Sequence, residues 1–178
     1  MLSNKEGTIR SIQPEDLRFL ADLRGETNTW MYLGSPDFIN EASQRVWYDK
    51  VSNDPTKQYM IYQKNHTLPL DNLPCRVGMV RIDEINCTHR SARVGGDIIT
   101  EFRRRGHATN MYRLIQEYCF DFLNLHRIWL LVVDYNEPAI ALYKKVGFKE
   151  EGRYIDGFLR AGKYSDYICM SLINRKGD

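Results

Sequence analysis

The residues with the clearest chemical purpose lie in one short run, Arg103-Arg104-Arg105-Gly106-His107-Ala108-Thr109. Three guanidinium groups precede a glycine, and the apolar positions that follow, Ala108, Met111, Ile115, Tyr118 and Phe122, recur at helical spacing. The N-terminal end of a helix already carries roughly half a positive charge, so cations are disfavoured there unless an anion stands between them. A strand, a glycine turn and a helix start together form an anion site. Free peptide N–H groups converge at such a place, and the glycine lets a ligand approach where a Cβ would intrude. No GxxxxGK(S/T) occurs and no GxGxxG follows a strand, which argues against an ordinary nucleoside triphosphatase or a Rossmann dehydrogenase. For Arg104 taken alone, a solvated charge is an equal reading, because backbone amides make no demand on the side chain.

Other chemistry is sparse. Cys75, Cys87, Cys119 and Cys169 stand singly, and the histidines at 66, 89, 107 and 126 make no HxxxH pair, so no metal site is expected and the thiols read as free core or edge groups. A net charge of +2 over 178 residues is too small for a dedicated nucleic-acid binder. No window approaches the roughly twenty apolar residues of a membrane span, and the start MLSNKEGTIRS reads as neither signal nor transit peptide, which points to a soluble cytoplasmic protein.

The elements that must position the arginine turn follow from periodicity. GTIRSI reads as a strand and PEDLRFLADLRGE as an amphipathic helix; TNTWMYLGSPDF is irregular, and EASQRVWYDKVSND is a second helix with Val46, Trp47 and Val51 on one side. QYMIYQ and CRVGMVRIDEI are strands around the loop NHTLPLDNLP. SARVGGDIIT is a strand whose Gly95 and Gly96 suggest a bulge or a close backbone approach. After the helix that opens at the arginine turn, RIWLLVVD is apolar enough for a central strand buried on both faces. NEPAIALYKKVGF is a helix with Asn136 as cap, Pro138 in its first turn and Gly147 at its end; RYIDGFLRAGKYSDYICMSL is a hairpin around Ala161-Gly162. The order is a mixed α/β one within a single domain over 1–178.

Three blocks in register resemble the GNAT superfamily of N-acetyltransferases. SARVGGDIITEFRRRGHATN is similar to that family's fourth strand and acyl-CoA loop, Q/R-x-x-G-x-G/A; NEPAIALYKKVGF resembles its second characteristic block; the closing segment is similar to the branch of ribosomal-protein, polyamine and aminosugar N-acetyltransferases. The resemblance implies a mostly antiparallel sheet of roughly six to seven strands flanked by about four helices, with central parallel strands that splay apart. It implies acetyl-CoA as cosubstrate and a primary amine as acceptor, whether polyamine, amino sugar nucleotide or protein N-terminus. On the same ground the amides from Arg104 to Thr109 would hold the CoA pyrophosphate, with the side chains of Arg103, Arg104 and Arg105 adding charge. Ile98, Ile99 and Thr100 would offer main-chain groups to the pantetheine arm, and Asn136 a hydrogen bond at the strand exit.

Tyr143 shares a helical face with Ala139 and Val146, the position of a core aromatic. The resemblance makes it the acid that protonates the departing thiolate, a role that suits a phenol of pKa about 10. Some family members carry a glutamate base on the fifth strand, where this chain has Leu130, Leu131 and Val132; Asp97, Asp134 or a water are the remaining candidates. Trp30 and Tyr32 are candidate walls of the acceptor pocket, and Asp83 and Glu84 candidate attractors of a cationic amine. A non-catalytic acyl-CoA or partner-binding module of the same fold is the alternative reading, and the sequence leaves open whether a homodimer forms.

Overall fold

The computed structural model describes residues 1–34, 39–65 and 75–175, so most of the expected loop NHTLPLDNLP, with His66, and the end of the irregular N-terminal segment lie outside the described residues. Among these, the chain gives β1 (Leu2–Ser3), β2 (Gly7–Ser11), α1 (Leu17–Gly25), α2 (Thr27–Trp30), α3 (Glu41–Ser52), β3 (Gln58–Lys64), β4 (Cys75–Asn86), β5 (Ser91–Ile98), α4 (His107–Glu117), β6 (Arg127–Val133), α5 (Glu137–Lys145), β7 (Lys149–Arg160) and β8 (Lys163–Ile173). The element order expected from periodicity holds, with β1 and the single turn α2 added.

The strands form one sheet in the order β1-β2-β3-β4-β5-β6-β8-β7, antiparallel except for β5 and β6. That parallel pair is joined only through Ser91↔Arg127, Ala92↔Ile128 and Arg93↔Trp129. Beyond those residues each strand stays with its outer neighbour, β5 with β4 up to Gly78↔Ile98 and β6 with β8 up to Val133↔Tyr167. The sheet therefore opens into a cleft between Val94–Ile98 and Leu130–Val133.

Helices cover both faces. One core is built from Val80, Ile82, Val94, Ile98, Met111, Leu114, Ile115, Ile128 and Leu130, with Tyr143 of α5 packed against it. The other gathers Leu17, Leu20 and Leu23 of α1 over Ile61 and Met79, with Trp47 and Tyr48 of α3 alongside. Each buried leucine there would cost about 2–5 kcal/mol if cut to alanine. α1 is also pinned electrostatically: the fully buried Asp16 carboxylate meets Arg10 of β2 at 2.7 Å and Arg76 of β4 at 2.6 Å.

Two sequence expectations change. Val46 is 69% exposed, and α3 turns Gln44, Trp47 and Tyr48 inward instead. The helix of the arginine turn ends at Glu117 in a π-helical turn, Tyr118–Phe122, which swings Phe122 out to 63% exposure while Cys119 stays buried.

Candidate active site

The turn before α4 is built from unusual backbone. Arg104 has φ 60° and Gly106, at the helix cap, φ 86°. No side chain caps this end, and a Cβ added at Gly106 would meet nothing within 4 Å. The amide of Asn110 bonds to Gly106 O (3.1 Å), so the N–H groups of His107, Ala108 and Thr109 are the unpaired first turn of the helix. They face open space beside the exposed Arg104 and Arg105 and the half-buried His107. Burial, then the nearby charges of Lys64 and Arg105, lowers the His107 pKa, so its ring adds no fixed charge at neutral pH.

Arg103 corrects the expectation made for it. Its guanidinium bonds to Ile98 O (2.8 Å), Asn28 O (3.2 Å) and Thr29 Oγ1 (2.6 Å), tying the end of β5 to α2. It is an internal strut, and the exposed positive charge belongs to Arg104 and Arg105. The main chain expected to be free from Ile98 to Thr100 is also partly engaged. Ile99 N–H donates to Val77 O (3.0 Å) and Thr100 N–H to the Glu26 carboxylate (3.1 Å). Strand groups alternate in direction, so the N–H of Ile98 points away from β4, into the cleft, while its carbonyl takes Arg103.

Asn136 caps α5, its Oδ1 accepting from Ala139 N–H at 3.3 Å. That helix carries Tyr143 to the cleft from one side of the sheet. The Tyr112 hydroxyl of α4 donates to the Tyr143 hydroxyl at 3.4 Å. Burial raises the Tyr143 pKa, with the Tyr112 hydrogen bond pulling the other way, and burial raises that of Tyr112 well above 10.

Both phenols feel Asp97 and Arg81, which stand on the opposite face of the sheet. Arg81 pairs in register with Gly95 and Asp97 with Met79, so both lie on the α1 side, visible to the tyrosines because β5 and β6 have parted. Burial opposes the Arg81 charge but the fields of Asp97 and Asp83 raise its pKa overall. Asp97 Oδ2 is buried with no hydrogen-bond partner among the described residues. The expected close approach to Gly95 and Gly96 is thus real, and the approaching groups are the chain's own: a Cβ on Gly95 would stand 2.6 Å from Arg81 Nη2, and one on Gly96 2.5 Å from Met111 Cε. Arg81 and Tyr112 were not singled out by sequence. The signal for Arg81 was a cation in the apolar middle of a strand, opposite a glycine.

The segment of Trp30 and Tyr32 spans the α1 side of the cleft mouth. Its start is held by Arg103, and its end by Arg160, whose guanidinium lies over Trp30 at 4.8 Å and donates to Leu33 O. Tyr32 packs on Tyr135 with ring centres 5.7 Å apart, and the Tyr135 hydroxyl donates to Met31 O (3.1 Å). Asp83 and Glu84 are elsewhere. Arg93 takes Asp83 in a two-pronged pair at 2.6 and 3.1 Å and Glu84 at 3.1 Å, near the closed end of the β5–β6 pair. Asp134, a candidate base, follows β6 with its N–H on Asp166 O (3.0 Å). No group of three metal-ligating side chains occurs among the described residues.

An acetyltransferase (GNAT) domain model matches residues 8–149. The chain belongs to the GNAT acetyltransferases. A spermidine N(1)-acetyltransferase of Vibrio cholerae is 30% identical over 97% of this chain and 96% of its own length. The crystal structure of spermidine N-acetyltransferase from Vibrio cholerae in complex with CoA and spermine superposes with a TM-score of 0.86 at 29% identity, covering 96% of each chain. An L-amino acid N-acetyltransferase of Escherichia coli is 36% identical over 76% of this chain and 80% of its own. This GNAT chain is an acetyl-CoA-dependent N-acetyltransferase.

Proposed function

We propose that this enzyme transfers acetyl to a small primary amine by direct attack within the β5–β6 cleft, with Tyr143 as general acid and Asp97 as base. The observation that carries the reading is the Tyr112–Tyr143 hydroxyl pair set where the cleft opens. The pair holds the Tyr143 hydroxyl in place, and the raised pKa keeps its proton on at neutral pH.

The residues present fit acetyl-CoA. The uncapped first turn of α4, with Gly106 leaving room and Arg104 and Arg105 exposed, offers converging N–H groups and positive charge to a diphosphate. The Ile98 N–H offers an edge to an extended amide chain, as an added strand would use it. Asn136 is engaged as a cap and contributes by holding the start of α5. When bound, acetyl-CoA supplies a thioester carbonyl that accepts the amine nitrogen as its sulfur leaves. Asp97, with one oxygen buried and unbonded, is the group placed to relieve an ammonium of its proton; Asp134 sits at the strand exit and has no such orphan atom.

Trp30 and Tyr32 form the outer wall of the acceptor pocket. The names of the relatives, spermidine in one and L-amino acids in the other, support a small amine. Self-association is supported by the hairpin β7–β8, where Tyr154, Ile155, Leu159 and Tyr164 are all more than half exposed. The test of the transfer reading is CoA release over a panel of polyamines, amino acids, amino sugar nucleotides and peptides. Release with at least one amine, lost in Tyr143→Phe, is expected; silence across the panel with CoA binding intact would leave a cofactor-binding module.

A further inference from the structure

We infer that the acceptor is an amine that carries a carboxylate, an α-amino acid, with Arg81 receiving the carboxylate and Asp97 the ammonium. The inference rests on the transfer reaction above and narrows its acceptor.

Arg81 is half-buried and donates no hydrogen bond to any described residue. That sets it apart from Arg10, Arg76, Arg93, Arg103 and Arg127, which are half-buried too and each bond to a carboxylate or carbonyl oxygen. None of its nitrogens is among the buried, unbonded side-chain atoms of the described residues, so the fork remains open to a ligand, and a guanidinium with no protein acceptor is the one free to take a carboxylate. Its fork lies against Gly95, where any side chain would collide with Nε and Nη2, so the glycine keeps the place open for the fork. Two residues along the same strand, Asp97 has the complementary deficiency, a buried carboxylate oxygen with no donor. The two groups sense each other's charge yet form no ion pair. A molecule bearing an ammonium and a carboxylate one carbon apart satisfies both at once.

The charges nearby point the same way. A polycation would bring its second ammonium toward Arg81, and the acids that could offset this, Asp83 and Glu84, are both held by Arg93. Arg160 adds a further cation at the cleft mouth, its Nε buried and unbonded. A guanidinium fork matches a carboxylate in two parallel hydrogen bonds, an arrangement no amine can offer it. In the reaction the C–N bond forms as the C–S bond breaks. The ammonium first gives one proton to Asp97; as the C–S bond breaks the Tyr143 proton goes to the departing sulfur, and the second nitrogen proton, shed as the amide forms, restores the Tyr143 phenol. The carboxylate stays on Arg81 unchanged, giving an N-acetylamino acid and free CoA.

The experiment compares L-phenylalanine, L-leucine and L-lysine with 2-phenylethylamine, isoamylamine and cadaverine, which lack only the carboxylate, and with spermidine. Each is measured for CoA release and, independently of turnover, for binding by calorimetry in the presence of CoA. In the wild type at least one amino acid should exceed its decarboxylated partner by roughly 10- to 100-fold in kcat/KM, the range of a charge-assisted hydrogen-bond pair. Arg81→Gln should bring that ratio close to one, chiefly through KM, and Arg81→Lys should retain part of it. A wild type that prefers spermidine or the bare amines, a ratio that survives Arg81→Gln, or an absence of amino-acid binding in the calorimeter would each overturn the inference. Failure of every acceptor to release CoA would instead fail the transfer reading, and calorimetry would still decide between the amino acid and its partner.

Discussion

The Tyr112 and Tyr143 hydroxyls meet across 3.4 Å, joining α4 to α5 at the phenol proposed as the acid. Burial raises the Tyr143 pKa above 10 and the Tyr112 bond draws it back, so Tyr143 is protonated throughout the neutral range. The rate should rise with pH as the acceptor amine loses its proton and fall only above pH 10, where the phenol ionises. Tyr143→Phe should lower kcat by roughly 10²–10⁴-fold, the usual worth of a placed acid, with little change in acetyl-CoA affinity. Tyr112→Phe removes the bond that lowers the Tyr143 pKa, so it should move the falling limb to higher pH and cost less in kcat. A pH–rate profile beside calorimetric CoA binding checks both, and equal losses of turnover and affinity in Tyr143→Phe would remove it as the acid.

The three arginines should separate by function. Arg103 bonds to Ile98 O, Asn28 O and Thr29, so Arg103→Ala should lower stability by roughly 1–3 kcal/mol, and loosen the acceptor wall with it. Arg105 is exposed and lies over the Phe102 ring at 5.8 Å; Arg105→Ala should leave stability nearly unchanged and weaken CoA binding in a salt-dependent way. Gly106→Asp places a negative charge and a strained left-handed residue at the helix start, and should reduce CoA affinity tenfold or more. Denaturant melts and CoA titrations at two salt concentrations distinguish the three.

Asp16 joins the start of α1 to β2 and β4. Its desolvation favours the neutral acid, but hydrogen bonds from Arg10, the Gln13 amide and Arg76 prevail and hold its pKa at about 2, below the ordinary 3.8. A depressed folded-state pKa contributes stability that is present above the unfolded value and lost as pH falls, so this contribution should fade between about pH 4 and pH 2. Asp16→Asn should cost roughly 2–4 kcal/mol at neutral pH and flatten the acid limb of the stability curve. A variant whose acid unfolding still tracks the wild type would show that other carboxylates govern it.

Much of the fold was legible because the apolar spacing of each element agrees with its place. Met111, Leu114 and Ile115 recur on one side of α4, and Ile168 and Met170 on one side of β8. The arginine-glycine turn was legible because a left-handed glycine before a helix is a local feature. What escaped was long-range. Arg103 reads as one of three equal cations until α2, more than seventy residues earlier, is seen bonded to it. Arg81 is invisible as a site residue until β5 and β6 part beside it. RIWLLVVD reads as buried on both faces, yet Trp129 and Leu131, on the face away from Ile128 and Leu130, are only half-buried.

The hairpin at the sheet edge carries its own expectation. Among the described residues β7 has no neighbour on its outer side, and Ile155 is 72% exposed there. β7 is charged along much of its length, but Tyr154, Ile155 and Leu159 with Tyr164 of β8 make one apolar stretch of this edge on which another chain can seat. Ile155→Lys with Leu159→Lys should lower the assembly mass in light scattering while leaving the melting temperature of the subunit nearly unchanged; an unaltered mass would place any self-contact elsewhere.

The neighbouring glycines of β5 should respond differently to one added methyl. At Gly96 the new carbon would stand 2.5 Å from Met111 Cε and 2.9 Å from Met79 O, and the second of these is backbone that cannot give way. Gly96→Ala should therefore destabilise by roughly 1–3 kcal/mol, as overpacking a core does. At Gly95 the colliding atoms are Nε and Nη2 of Arg81 at 2.7 and 2.6 Å, the far end of a flexible side chain. Gly95→Ala should leave the melt almost unmoved but push the fork off its seat, raising KM for the acceptor while kcat and CoA binding change little. The contrast separates a glycine that packs from one that leaves room for a working cation; a large stability loss at Gly95, with no change in acceptor KM, would place both among the packing residues.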